Sequence, residues 1–584
     1  MKRIFSVTTI GALFFMLCIS GRAFGAGDTL NVYATTANLE EIINNDTTAA
    51  GLLKHAVYRL VSVDTTYVFQ GPISVKSDIT VIGAPNPVTG RPPCIQPMTL
   101  PDGSLPDFLF ILNGPHTKAV FKNLYLTGRS TDNTICTTNY DGAGALIQVA
   151  AEGIRLTVDN CIFCDFPTNN IGYSGDHTSI FVTNCKFRNG NVSTAWYSGE
   201  AVRNTFNTAI TDTLVMRYNT MFCMAYSAAC PVTVNPCTYF DFSHNSVIYT
   251  FKNPFWIYNI TTGKVNNNLF YAAFSGASDK TEHFGMWDQL RSFALTSVVD
   301  FDTLNMSIAT WFDPADTAGS SSLSILWPAE AKRAIEVKNN DCYWPTAVTQ
   351  FWKAWDDTAH VDTIITPVWL NDRTLGMFAD KTHWPLMVQS GNLQVDPQFG
   401  PSIDQVLHNN TGCGDGLFDH FAQVRRNDVS RVTRYGYKIE EAAGANWVPT
   451  WPLPEIADMH YANTALQTGG TDGLPVGDPF WFTGKPTSVK TTSESLPRRF
   501  ALAEAYPNPF NPSTVITASL AQPGEMSLKI FNMLGQLVQV VDQGYRQPGE
   551  YTYHVSLARN ASGVYIYALQ QGANLITKKM VLVK

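Results

Sequence analysis

Six side chains in one stretch of this sequence are of the types that move protons or hold anions. They are Lys186 and Arg188, Arg217 two residues before an asparagine, and Asp176, His177 and Glu200 around them. Residues two apart on a strand face the same side, so Lys186 and Arg188 form one outward basic row, with Asp176, His177 and Glu200 in the adjoining loops. Carboxylates and an imidazole beside such a row can do general acid–base work on an acidic substrate, or bind it. The commoner fate of a Lys and an Arg in one outward row is a solvated surface. No GxSxG nucleophile elbow, HExxH zinc motif or phosphate-binding loop accompanies them.

The elements that must position these residues are announced by a recurring phrase. It reads Asn123-Leu-Tyr-Leu126, Asn160-Cys-Ile-Phe163, Asn184-Cys-Lys-Phe187, Asn219-Thr-Met-Phe222, Asn245-Ser-Val-Ile248 and Asn267-Asn-Leu-Phe270. The asparagines recur at intervals of 22 to 37 residues, the band of solenoid repeats. Asn tolerates the left-handed conformation of a tight turn and can bond an Asn stacked above or below it, and a short strand follows each one. The pattern predicts an all-β fold, a right-handed parallel β-helix with the six asparagines along one edge. Strand alternation then places Leu126, Phe163, Phe187, Phe222, Ile248 and Phe270 inside, and Tyr125, Ile162, Lys186, Met221, Val247 and Leu269 outside. Five of those six outward residues are apolar, so the stripe must be covered or must bind something. Ten of the thirteen tryptophans lie between Trp311 and Trp481, and that segment is the expected cover.

Composition sets the remaining bounds. A net charge of -8, with 15% charged and 12% aromatic residues, fits a folded protein and gives no electrostatic case for nucleic acid or an anionic membrane as partner. Lys2, Arg3, the apolar run Ile4 to Ile19 and the small residues Ala23 and Gly25 read as a signal peptide over residues 1–25, and no later segment is long and apolar enough to span a bilayer. Ten of the eleven cysteines follow it, an even number compatible with disulfides. Cys161 and Cys164 face opposite sides of a strand and make a poor metal chelate, whereas Cys161 and Cys185 should stack inward as buried thiols. Asp472 and Asp478 are too few carboxylates for a calcium site to be expected, although calcium is the one cofactor they suggest.

In chain order, residues 26–345 read as the coil with an N-terminal cap, for which Leu39–Ile43 and Ala50–His55 suggest short helices. Strands at Tyr67–Phe69, Ile73–Val75 and Ile79–Ile82 open the coil, and Ile335–Tyr343 is a late rung. The segment between includes an excursion with candidate strands at Phe293–Phe301 and Met306–Trp311. Residues 346–484 are a Trp-rich closing segment and 485–497 a linker. Over roughly residues 60–345 the repeat style, with a strand ending in Ile82-Gly83, resembles secreted β-helix proteins of the pectate-lyase-like superfamily. That resemblance implies either a lyase, whose catalytic Lys or Arg beside a calcium-binding acidic cluster abstracts a proton next to a uronate carboxylate, or a hydrolase. Lys186, Arg188 and Arg217 are the nearest candidates for the base. The Asn-Thr-Asp, Asp-Asp and Gly-His-Gly motifs of polygalacturonase-like hydrolases are not found. The expected function is a non-enzymatic surface module that binds a polysaccharide or a surface protein, with a polysaccharide lyase or hydrolase as the alternative.

Residues 498–584 change pattern to short strands divided by Pro and Gly, as in a small Ig-like β-sandwich. Tyr506-Pro507-Asn508-Pro509-Phe510-Asn511-Pro512-Ser-Thr514, Ile530-Phe-Asn-Met-Leu-Gly535-Gln536, Ala561-Ser-Gly563-Val-Tyr565 and Lys578-Lys579-Met-Val-Leu-Val-Lys584 appear in that order. They resemble the C-terminal sorting domain of type IX secretion cargo. The resemblance implies the type IX machinery as partner, passage through the periplasm and the outer membrane, and a product that is secreted or held at the cell surface.

Overall fold

The computed structural model describes residues 28–584 except 35–36, 63–64, 136–143, 196–197, 206–208, 227, 231–236, 256–258, 280–296, 302–326, 358–363, 402, 409–414, 427, 429, 437–439, 444–445, 450, 452–458, 488–499, 521–523, 547–548, 559 and 573. The signal-peptide expectation, and that of a strand at Met306–Trp311, lie outside the described residues. The chain divides into two compact units between Thr487 and Ser488.

The first unit is a parallel β-helix whose strands stack turn upon turn into an eleven-stranded, a nine-stranded and a six-stranded sheet. In one turn Arg155–Asp159, Ile162–Cys164 and Asn169–Tyr173 pair in parallel with Thr178–Thr183, Lys186–Arg188 and Val202–Asn204 of the next. From the strand Lys118–Lys122 onward, the backbone passes through the left-handed region between the first and second strands of each turn. Asn123, Asn160, Asn184, Asn267 and Asn339 occupy that corner with φ of 55°, 51°, 56°, 59° and 51°, and Tyr218 and His244 take it in the two intervening turns at 58° and 53°.

Asn219 and Asn245 are therefore one position past the corner, and the expected single file of asparagines is two columns. The second column points inward. It runs Leu124, Cys161, Cys185 and then Asn219, Asn245, Asn268, Asn340 and Asn392, with Nδ2 of each of the first four asparagines donating to Oδ1 of the next at 2.9, 3.1, 2.9 and 2.9 Å. Nδ2 of these same four also donates to the carbonyls of Val182, Met216, Phe242 and Val265 in the preceding turn. The receiving Oδ1 atoms also accept the main-chain N–H of the preceding asparagine. Buried amides are tolerated only when bonded in this way.

The one-residue offset also moves side chains between faces. Met221 and Val247, expected outside, are in the main core, and Phe222 and Ile248, expected inside, face out. Leu126, Phe163, Phe187 and Phe270 are inside as expected, with Phe163 and Phe187 stacked at 4.9 Å. Cys161 and Cys185 are buried free thiols. Helix Leu39–Asn45 seats Leu39 and Ile43 in the core at one end of the coil, its start held by an Asn38–Glu41 capping box. Ala50–His55 forms no helix, because the left-handed Gly51 at φ 72° turns the chain there. Toward the other end Trp369, Met377, Phe378, Trp384 and Met387 join the interior. Of the predicted strand Phe293–Phe301 the described residues are 297–301, in which Ser297–Val299 is a strand paired with Val368–Leu370.

A second core lies outside the nine-stranded sheet. Phe222, Ile248, Tyr249 and Tyr271 pack there against Trp352, Trp355, Leu417, Phe421, Tyr435 and Trp481. Tyr125 and Ile162 are covered by Trp451, and Leu269 by Tyr461, Leu466 and Val476. The outward stripe is thus roofed by the Trp-rich segment. His420 is buried in this second core with its ring edge-on to Phe251 and Tyr435, and burial pulls its imidazole down to about 4.

Two outcomes follow. Asn268→Ala removes the acceptor of two buried donors on Asn245, each costing about 1–3 kcal/mol when unpaired, so urea unfolding should show a loss of about 2–6 kcal/mol. The depressed His420 value means the unfolded chain takes up a proton that the folded chain refuses. Stability should be full above pH ~6.5 and fall by about 3 kcal/mol as pH drops toward 4. Thermal melts of His420→Phe should lack that part of the acid sensitivity.

Candidate functional site

The residues picked for chemistry are not gathered into one site, and one of them, Lys186, holds the roof. Lys186 and Arg188, expected as an exposed basic row, are both buried. Lys186 Nζ lies 2.7 Å from Asp478 Oδ2 and 4.3 Å from the centre of the Phe480 ring. The same carboxylate oxygen accepts the Thr220 hydroxyl at 2.9 Å, the Asp478 N–H donates to Ser246 Oγ at 2.9 Å, and Trp481 Nε1 donates to Thr220 Oγ1 at 2.8 Å. Arg188 Nη1 approaches Cys164 Sγ at 3.6 Å. A lysine committed to a buried carboxylate is not a free base.

Segment 469–487 runs along the outside of the corner column as a strap. Asn339 Nδ2 donates to the Gly469 carbonyl at 2.8 Å, and Asn267 Oδ1 accepts the Thr471 N–H at 2.9 Å. His244 bridges the Pro475 carbonyl and Asp472 Oδ2, both at 3.0 Å. Asn184 Oδ1 accepts the Thr487 N–H at 2.9 Å. The hydrogen bond from His244 holds the Asp472 carboxyl below its usual range. Asp472 and Asp478, the pair considered for calcium, therefore face a histidine and a lysine. Among the described residues no group of three or more His, Cys, Asp or Glu side chains is placed to hold a metal ion.

The other four candidates are scattered over the coil. Asp176 accepts the Ile210 N–H at 2.8 Å, and His177 is a left-handed corner residue at φ 55° whose Nδ1 is 3.0 Å from Asp212. Glu200, fully buried, precedes the six-stranded-sheet strand Val202–Asn204 and pairs with Arg203 at 2.6 Å, and burial raises its carboxyl above the usual range. Arg217 is on the outer face of the eleven-stranded sheet, a different side from Lys186.

That outer face is the polar flank that reading from the asparagine phrases missed. In the strands preceding each corner the outward positions carry Lys122, Asp159, Arg217, Asp241, Lys264, Glu336 and Lys338. Lys122 pairs with Asp159 at 2.9 Å, Lys264 with Asp241 at 3.4 Å and Lys338 with Glu336 at 2.6 Å. Asp241 is the most heavily bonded. Its Oδ2 takes Arg217 Nε at 2.9 Å and the Tyr239 hydroxyl at 3.3 Å, and its Oδ1 takes the Ser243 hydroxyl. Burial alone would raise this carboxyl, but Arg217 and Lys264 outweigh it and hold it below the usual range, so it stays ionised and fully occupied. Arg155 lies 4.2 Å over the Phe181 ring on the same face. The signal was present as one charge late in each of the strands Thr211–Arg217, Cys237–Ser243 and Ile260–Asn266, namely Arg217, Asp241 and Lys264.

The second unit is a sandwich-like pair of antiparallel sheets. Ala501–Leu502, Ser513–Leu520 and Gly549–Ser556 form one, and Leu537–Arg546, Gly524–Asn532, Gly563–Gln571 and Asn574–Leu582 the other, around Ile516, Leu528, Ile530, Tyr567, Leu569 and Met580. Its first and last motifs meet. The Phe510 N–H donates to the Val581 carbonyl at 2.9 Å, the Val583 N–H to the Phe510 carbonyl at 2.9 Å, and the Val581 N–H to Asn508 Oδ1 at 2.8 Å. Phe510 is buried, and Thr514 donates its hydroxyl to the Pro507 carbonyl at 2.8 Å, while the Leu557 N–H donates to the Pro512 carbonyl at 3.0 Å. Gly535 takes a positive φ of 76° in the turn Asn532–Gln536. Lys578 pairs with Glu504 at 2.6 Å, Lys579 is exposed, and Gly563 begins the strand that pairs with Asn574–Leu582.

No helix among the described residues is long and apolar enough to cross a membrane. No curated protein and no solved structure matches the chain. Residues 504–584 match the family described as the secretion system C-terminal sorting domain. The chain ends in a type IX sorting domain and is a protein exported to the extracellular space or the cell surface.

Proposed function

We propose that the β-helix is a non-enzymatic binding module that holds a polysaccharide or a surface protein along the outer face of its eleven-stranded sheet. The observation that carries this reading is the row of paired charges on that face, from Lys122 and Asp159 to Glu336 and Lys338. It recurs on neighbouring rungs, about 4.8 Å apart, interrupted at Thr178–Thr183, where Phe181 and Thr183 face out, and suits an extended ligand with spaced polar groups. Two facts weigh against chemistry on the coil. The Asp241 oxygens are filled by Arg217, Lys264, Tyr239 and Ser243, and Lys186 is sealed under Asp478 and Trp481.

A panel of immobilised acidic and neutral polysaccharides and of cell-surface proteins, probed with the purified chain, should yield a binder that Lys264→Glu with Lys338→Glu weakens about tenfold. Release of unsaturated or reducing ends from any polysaccharide in the panel would instead establish a lyase or hydrolase. Lys186→Ala separates the two roles. With Lys186 structural, it destabilises the coil by about 3–5 kcal/mol, since Asp478 is left buried without its cation, and it leaves the affinity of the folded fraction unchanged.

A further inference from the structure

The outer face of the four-stranded sheet in the sorting domain has a hollow of about 360 Å³. Three cross-strand rows build it: Ser527, Gln570 and Leu575; Lys529, Ala568 and Thr577; Phe531 and Ile566, with Lys579 opposite Ile566 flanking the hollow. Ala568 is the small residue at the centre, and the larger side chains around it make the walls. Leu575 is 61% exposed, and Met533 and Leu534 in the adjoining turn are 64% and 84% exposed. The opposite face of this sheet is the domain's own core. A small domain that leaves so much apolar surface beside a concavity is built to be gripped.

We propose that this hollow is where the export machinery takes hold of the chain, and that its occupant is an extended segment of that machinery. Such a segment would place an apolar side chain over Ala568 and an acidic one toward Lys529 and Lys579. This rests on the sorting-domain assignment, which identifies the partner. Hollow and flanking lysines supply its chemistry. The interaction is non-covalent, with the apolar contact giving affinity and the lysines fixing the direction of the bound segment.

The test uses the full chain in cells that carry type IX secretion, with the cell exterior and periplasm assayed separately. Ala568→Trp fills the hollow from its solvent side. We expect that variant to accumulate folded in the periplasm, with the exported fraction down at least tenfold, while Ser519→Lys on the other sheet is exported normally. A folded Ala568→Trp chain that is exported like the parent overturns the proposal. Should Ala568→Trp be degraded, Lys529→Glu with Lys579→Glu decides in its place: a threefold or greater loss of export supports the site and normal export overturns it. Deleting residues 498–584 tests the sorting assignment separately, because export of the truncated chain would remove the assignment itself. If purified full chain dimerises and Ala568→Trp makes it monomeric, the hollow belongs to self-association and the proposal also fails.

Discussion

From Asn123 onward every turn of the coil must reverse at the same place, and it does so through one residue in the left-handed conformation. That requirement fixes the position of everything else. The corner residue has to be tolerant of positive φ, which explains five asparagines there. The residue after it must point inward, and from Asn219 on that place is taken by a stack of amides bonded end to end. A mismatched rung would strand several buried donors at once, so the ladder enforces register where apolar contacts alone would allow a slip.

The same corners have a second use. Their side chains project outward, and Asn184, His244, Asn267 and Asn339 catch the main chain or side chains of segment 469–487 as it passes. The strap in turn seats Asp478 over Lys186 and Trp481 over Thr220, which closes the roof on the nine-stranded sheet. The sheet on the other side of the corner instead carries ion pairs, two of them, Lys122–Asp159 and Lys264–Asp241, across rungs. The Asp241 carboxylate, held by Arg217, Lys264, Tyr239 and Ser243, has its acceptor positions occupied.

The solenoid was legible because its repeat carries both a turn signal and a strand signal in four residues. The sorting domain was legible because four motifs fall in order. Register was misread at two rungs, because Tyr218 and His244 took the corner and left Asn219 and Asn245 to imitate it. Neither tyrosine nor histidine announces a left-handed turn, so only the neighbouring strands reveal the offset. The fate of Lys186 was hidden for another reason. Its partner is 292 residues away, and no local pattern records such a pairing. The charged flank showed in the sequence only as isolated charges, Arg217, Asp241 and Lys264, in the strands before the asparagine phrases, too sparse to form a pattern.

That separation between Lys186 and Asp478 also orders events during synthesis. The rungs around Lys186 are made of neighbours in sequence and can close early, while the loop that brings Asp478 back is among the longest in the body. Until it arrives, Tyr125, Ile162 and Leu269 lack their covers Trp451, Leu466 and Val476 and form an adhesive apolar strip. The sorting domain's first strand, Ala501–Leu502, follows Asp478 by little more than the strap's tail and a linker. Completion of the address and disappearance of the sticky strip therefore nearly coincide, so a chain truncated before the strap lacks both the signal for export and the surface fit for it.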